Sequence, residues 1–149
     1  MIEATTEAAS EAASEATIEQ LNTRGETLRN EITHLFKISG VPGQVTGAGS
    51  LFRIHLHSRP IRNYRDTYLH EAERTAMVQL QQNLLNAGVY LSANGFGCLS
   101  TAMTETDLEQ FSNALLRSLQ QMKNKHPSSN DRFPSPVTVV VRTLRSDDD

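Results

Sequence analysis

The stretch from Gly88 to Asp107, GVYLSANGFGCLSTAMTETD, constrains the fold more than any other part of the chain. Gly88 suits the left-handed residue that closes a helix. Val89-Tyr90-Leu91 and Cys98-Leu99-Ser100 are short strand candidates on either side of a polar, glycine-rich loop, Ser92–Gly97. Thr104-Glu105-Thr106-Asp107 resembles a capping box with Asp in the Glu position, which starts another helix. The stretch thus reads helix stop, strand, loop, strand and helix start.

The rest of the chain falls around this stretch in three zones. Residues 1–16, MIEATTEAASEAASEA, are low-complexity and acidic, with Glu3, Glu7, Glu11 and Glu15 at every fourth position. Such a like-charged stripe weakens a helix slightly, and the zone has almost no large apolar residue to bury. A frayed helical or disordered lead is expected. Residues 17–123 read as the folded unit. Ile18, Leu21, Gly25, Leu28, Ile32 and Leu35 follow helical spacing, and Gly40 suits the stop. Gly25 on that apolar face sacrifices helix propensity but permits another backbone to come close. Val45–Gly49 reads as a short strand, and Leu51–His57 as a half-buried one with Phe52, Ile54 and Leu56 facing inward. A second helix is expected over Asp66–Ala87, with Ala76, Leu80, Leu84 and Ala87 inward and Met77 beside them. Leu108, Phe111, Leu115, Leu119 and Met122 mark the last helix. Residues 124–149 form a polar, proline-rich tail containing a β-prone segment, Val137–Val141. The fold class is α+β: a small, mostly antiparallel sheet covered by three helices.

Composition excludes several functions. A formal net charge of -3 with no basic block gives nucleic-acid binding little electrostatic support. No apolar run approaches the ~20 residues that span a bilayer. The single cysteine, Cys98, cannot form an internal disulfide and suits a reducing, cytoplasmic compartment. The acidic N-terminus has neither the basic region of a secretory signal nor, before Arg24, the arginines of a transit peptide.

Individual constellations carry weaker signals. His55 and His57 share a strand face, as a nascent zinc site requires, but no Cys, Asp or Glu stands ready as a third ligand. A polar side facing solvent or an interface is favoured, and no metal is expected. Cys98 beside Leu99 reads as a buried structural thiol rather than a nucleophile. Arg59, Arg62 and Arg65 near Tyr64 and Tyr68 could form an anion site, although a solvated turn with Asp66 and Glu71 is the simpler account. Neither GQVTGAG nor NGFG matches a phosphate-loop pattern. The Ser92–Gly97 loop sets a hydroxyl, an amide and an aromatic ring on a flexible backbone between strands, where binding residues often sit. From the residues alone, an ordinary connection is equally compatible.

GSLFRIHL at Gly49–Leu56, Arg62-Asn63-Tyr64-Arg65-Asp66, GVYLS and GCLSTAMTETD occur in an order and spacing that resemble the C-terminal small domain of class III, fold type I pyridoxal-phosphate aminotransferases. The glutamate-1-semialdehyde 2,1-aminomutase branch is the most similar, and the resemblance covers roughly Leu21–Leu119. It implies a homodimeric enzyme whose large domain holds pyridoxal phosphate on a lysine, the cofactor serving as electron sink. The small domain would close the substrate side, with Ser92, Asn94, Gly95 and Phe96 facing substrate. Some relatives carry an arginine near Asn94 suited to a substrate carboxylate, where asparagine makes a neutral contact. The chain has three lysines, Lys37, Lys123 and Lys125, and none stands where such an enzyme holds its cofactor. No catalytic or cofactor-binding residue is therefore expected in this chain, nor cofactor binding by it alone. Its expected partner is the missing large domain or a second copy. The other reading is a non-catalytic interaction or dimerisation module derived from such an enzyme.

Overall fold

The computed structural model describes residues 3–125, with side chains from residue 14 onward. The expectations for the tail, including Val137–Val141, lie outside the described residues. Helix α1 spans Glu3–Ser39, so the change of composition at residue 16 falls inside a continuous helix. Gly40, at φ 70°, ends it in the left-handed conformation that a Cβ disfavours. Leu28, Ile32, Leu35 and Phe36 are buried, whereas Ile18 is exposed. The core-facing stripe therefore starts at the partly buried Leu21, later than its periodicity suggested. Gly25 is buried against the backbone of a following turn, and a Cβ there would run into the Gly49 carbonyl oxygen. The close approach expected of this glycine is present.

Three short strands follow: β1 (Gln44–Thr46), β2 (Leu51–His55) and β3 (Phe96–Cys98). They form one antiparallel sheet in the order β1-β2-β3, with Val45 opposite Ile54 and Phe52 opposite Gly97. β1 ends before the expected Gly49 because Gly47 and Gly49, at φ 156° and 55°, make the turn instead. The expected pair of strands around the loop reduces to one. Val89-Tyr90-Leu91 is not a strand: its ties run to helix α2 (Glu71–Asn86), through Val89 N–H to Leu84 O at 2.9 Å and Gln81 Nε2 to Leu91 O at 3.0 Å. β3 begins two residues before the expected Cys98. The cause is local: β2 captures the loop itself, Ile54 N–H donating to Gly95 O at 2.8 Å.

α2 also starts later than expected, at Glu71 rather than Asp66. Tyr64–Thr67 is a separate 3₁₀ turn opened by Asn63, whose side chain accepts from Arg65 N–H at 2.9 Å. Glu73 then marks the true start by accepting from His70 N–H at 2.9 Å. Ala87 lies beyond the last turn and is exposed, so it is not part of the inner face, while Met77, Leu80 and Leu84 are. Helix α3 (Glu105–Lys125) begins at the expected capping box, Thr104 N–H donating to Asp107 Oδ2 at 2.7 Å.

All three helices contribute to one core with the Phe52–Ile54–Leu56 side of β2. The Phe52 and Phe111 rings meet edge-on, their centroids 5.5 Å apart. Ile32, Ile54, Leu80, Leu84, Leu115 and Leu119 are fully buried, each stabilising by about 1.5–3 kcal/mol relative to exposure. The fold is therefore α+β, three helices on a small antiparallel sheet. Among the described residues no helix is long and apolar enough to cross a membrane.

Candidate functional site

Strand alternation sends Leu51, Arg53 and His55 away from the helical core. Register adds Phe96 and Cys98 from β3, opposite Arg53 and Leu51, and Gln44 and Thr46 from β1. This second face has two halves of different character. At the β1 end, His55 and the following His57 are buried, their ring centroids 5.6 Å apart. His55 Nε2 lies 2.9 Å from Thr46 Oγ1, and Gln44 Nε2 donates to the carbonyls of His57 and Arg59. Burial first, and the neighbouring Arg53 charge second, push the His55 pKa down to about 4, so its imidazole is neutral near pH 7. Burial and the Arg59 charge lower His57 as well. Of the two expectations for this side, facing solvent or facing an interface, the first is thus corrected, since both histidines are buried within the chain itself. These histidines are interior because the polar side chains of β1 fold over them. Among the described residues no group of three His, Cys, Asp or Glu side chains is placed to hold a metal.

The β3 end is open. Leu51 and Phe96 are 43% and 41% exposed. Cys98 is exposed too. The expectation that it is buried is overturned by alternation: Leu99 takes the inward position and turns Cys98 outward, its Sγ lying 3.3 Å from Leu99 O.

The loop that the sequence singled out borders this open half. Ser92 N–H donates to Phe96 O at 3.2 Å and Gly95 N–H to Ser92 O at 2.9 Å, making a tight turn. Ser92 Oγ donates to Asn94 Oδ1 at 2.5 Å and accepts from Phe96 N–H at 3.0 Å. Asn94 and Ser92 therefore spend their oxygens inside the turn, leaving the Asn94 amide hydrogens as the loop's side-chain donors. Gly95, at φ 79°, presses against β2, where a Cβ would strike Ile54 O and lie 3.1 Å from Met77 Cε. The loop is thus tied to β2 rather than standing free of it. Arg53 completes the seating, its Nε donating to Asn94 O at 3.0 Å. Sequence reasoning missed Arg53 as a site residue. Only the register that puts it opposite Phe96 brings it to the loop.

Two of the three arginines in the arginine-rich turn pair with carboxylates. Arg59 pairs with Glu73 through both terminal nitrogens, and the hydrogen bonds from Arg59 hold the Glu73 pKa down to about 2. Arg62 Nε lies 3.7 Å from Asp66 Oδ2. Lys37, Lys123 and Lys125 are all exposed on α1 and α3. A lysine that holds pyridoxal phosphate must be partly buried beside it, and none of these three lysines has that setting. An apolar groove of about 460 Å³ between α2 and α3 is lined by Ala72, Thr75, Ala76, Gln79, Met122 and Lys125. None of these residues belongs to the loop.

No protein-family model matches the chain. Known enzymes do. The glutamate-1-semialdehyde 2,1-aminomutase of Methanopyrus kandleri is 27% identical over 106 residues, covering 70% of this chain and 24% of that enzyme. Among solved structures, an omega-transaminase from Sphaerobacter thermophilus superposes with a TM-score of 0.68 at 41% identity, over 70% of this chain and 24% of that one. A transaminase with pyridoxal phosphate bound gives 0.62 at 28% identity, over 74% and 24%. The chain spans about a quarter of the length of the relatives it matches. Over the matched stretch its homologues are glutamate-1-semialdehyde 2,1-aminomutases and transaminases, and its structural neighbours are pyridoxal-phosphate transaminases of fold type I.

Proposed function

We propose that this chain is the small-domain portion of a class III aminotransferase or aminomutase, which closes the substrate side of an active site whose cofactor-bearing portion lies outside it. The observation that carries the reading is the Sphaerobacter likeness: most of the described fold is matched, yet the match covers only a quarter of that enzyme. The Ser92–Gly97 loop, hydrogen-bonded to β2 beside an exposed apolar patch, is the surface offered to substrate, with Ser92, Asn94, Gly95 and Phe96 as its residues. Pyridoxal phosphate would be bound by the complementary large portion, in a cytoplasmic homodimer. By itself the chain is inactive, since none of its lysines has the buried setting that an internal aldimine requires.

Two measurements test this. Borohydride reduction after addition of pyridoxal phosphate should leave no stoichiometric, site-specific lysine adduct. Mixing with the complementary large portion of a relative should restore amino-group transfer. A single labelled lysine with turnover in the isolated chain would overturn the first statement, and failure of every such mixture to bind or turn over would overturn the second.

One observation favours another reading, a non-catalytic interaction or dimerisation module. Leu51 and Phe96 are exposed on the open sheet face, and such a patch seeks a cover. Light scattering over a concentration series discriminates: self-association abolished by Leu51→Ser without any gain of activity on complementation supports the module.

A further inference from the structure

Arg53 stands out among the arginines near the sheet. Arg59 and Arg62 have carboxylate partners, and Arg29 Nη1 is committed to the Gly49 and Leu51 carbonyls. Arg53 is half-buried and donates through Nε alone, to Asn94 O at 3.0 Å. Its terminal Nη groups make no hydrogen bond, and no acidic side chain pairs with it among the described residues. His55 on the same face registers that charge, which adds to burial in lowering its pKa. Among the described residues, the open half of the face therefore carries a cation without a counter-ion.

The surroundings define what could satisfy it. A guanidinium pinned by Nε keeps a planar pair of donors free, the geometry that matches a carboxylate in a bidentate pair. The Asn94 amide adds a neutral donor on the same turn. Phe96 sits directly across the ladder from Arg53 on the same face and is 41% exposed, with Leu51 two residues along β2. Cation, amide, aromatic ring and aliphatic side chain thus adjoin one another where the hydrogen-bonded turn meets β2, so little conformational freedom is lost on binding.

We propose that Arg53 is the carboxylate-binding residue of this domain, and that it takes organic acids with an apolar body laid against Phe96. This deepens the reading of the Ser92–Gly97 loop as substrate-facing and transfers charge recognition from the loop to the neighbouring strand.

The test is a titration of the full-length ¹⁵N-labelled chain with sodium benzoate, with benzamide and sodium chloride as controls. The side-chain resonances of Arg53 and Asn94 are followed by NMR. Benzoate should shift both saturably with a dissociation constant in about the millimolar range, while benzamide and chloride should not. Arg53→Gln should weaken binding about tenfold or more, and Arg53→Lys should recover only part of it because a point charge lacks the planar fork. Since both variants alter the half-buried side chain, Phe96→Ala provides a second arm: it should weaken benzoate without changing the response to acetate. Equal responses to benzoate and benzamide, or wild-type affinity in Arg53→Gln, overturn the proposal. The titration involves no cofactor or complementing portion. Benzoate binding without transaminase activity on complementation would retain Arg53 and discard the enzyme reading, and the reverse outcome would do the opposite.

Discussion

The two faces of β2 differ more than their shared backbone suggests. Phe52 and Ile54 enter the core that the three helices pack against, while Leu51 and Arg53, one residue away in each case, lie on the opposite face, where Leu51 is exposed and Arg53 half-buried. The inner face is complete: its rings interlock and Gly97 passes under Phe52 with no room for a Cβ. The outer face is complete only at its histidine end. A sheet covered on one side can fold, because one buried face supplies the apolar burial it needs. The uncovered half is then available for binding, which is where the ordered loop and Arg53 meet.

The comparison can be broken most forcefully in the core. Ile54→Ala should lower unfolding free energy by about 2–5 kcal/mol, as cavity-forming substitutions do, whereas Leu51→Ala should change it by under about 0.5 kcal/mol. Urea denaturation of both variants checks this, and similar losses would mean that the outer face is as structural as the inner. Gly25→Ala comes next. It gains helix propensity, but its Cβ meets the Gly49 carbonyl, so a net loss of about 2–3 kcal/mol is expected.

Acid should act on the histidine end. The His55 pKa is about 4 in the folded chain against 6.5 as its ordinary value. The unfolded chain therefore takes up this proton first. Stability attributable to His55 is fully present above about pH 6.5 and is lost as pH falls toward 4, by on the order of 2 kcal/mol. The urea midpoint should fall across that window, and His55→Gln should flatten the fall. Glu73 acts in a separate, lower window, between its ordinary 4.5 and about 2, where protonation removes its pairing with Arg59. Glu73→Gln should cost about 1 kcal/mol at neutral pH, since much of Arg59 is in water and screens the pair. The smallest effect sharpens the contrast. Phe96→Ser should alter stability by under about 0.5 kcal/mol, while weakening aromatic-acid binding at Arg53 in the titration.

Much of this organisation was legible from the chain. Leu28, Ile32, Leu80, Leu84, Leu115 and Leu119 announce their helices and their burial by spacing alone, because a 3.6-residue period is a local property. Gly25 announced its close contact and Thr104–Asp107 its cap for the same reason. The ends of elements were less legible. Asp66–Thr67 has helical composition, yet the helix starts at Glu71, where the Glu73 carboxylate captures the His70 N–H. Val89–Leu91 has strand composition but no strand to pair with.

The sequence by itself determined the fold class, the apolar helix faces and the position of the turn between Leu91 and Cys98, since each rests on the order and period of neighbouring residues. Tertiary structure alone decided that His55 and His57 are interior, that Cys98 is exposed, and that Arg53 stands beside Asn94. Those outcomes depend on which strand lies next to which and in what register. Arg53 and Asn94 are far apart along the chain, and only the antiparallel pairing of β2 with β3 makes them neighbours.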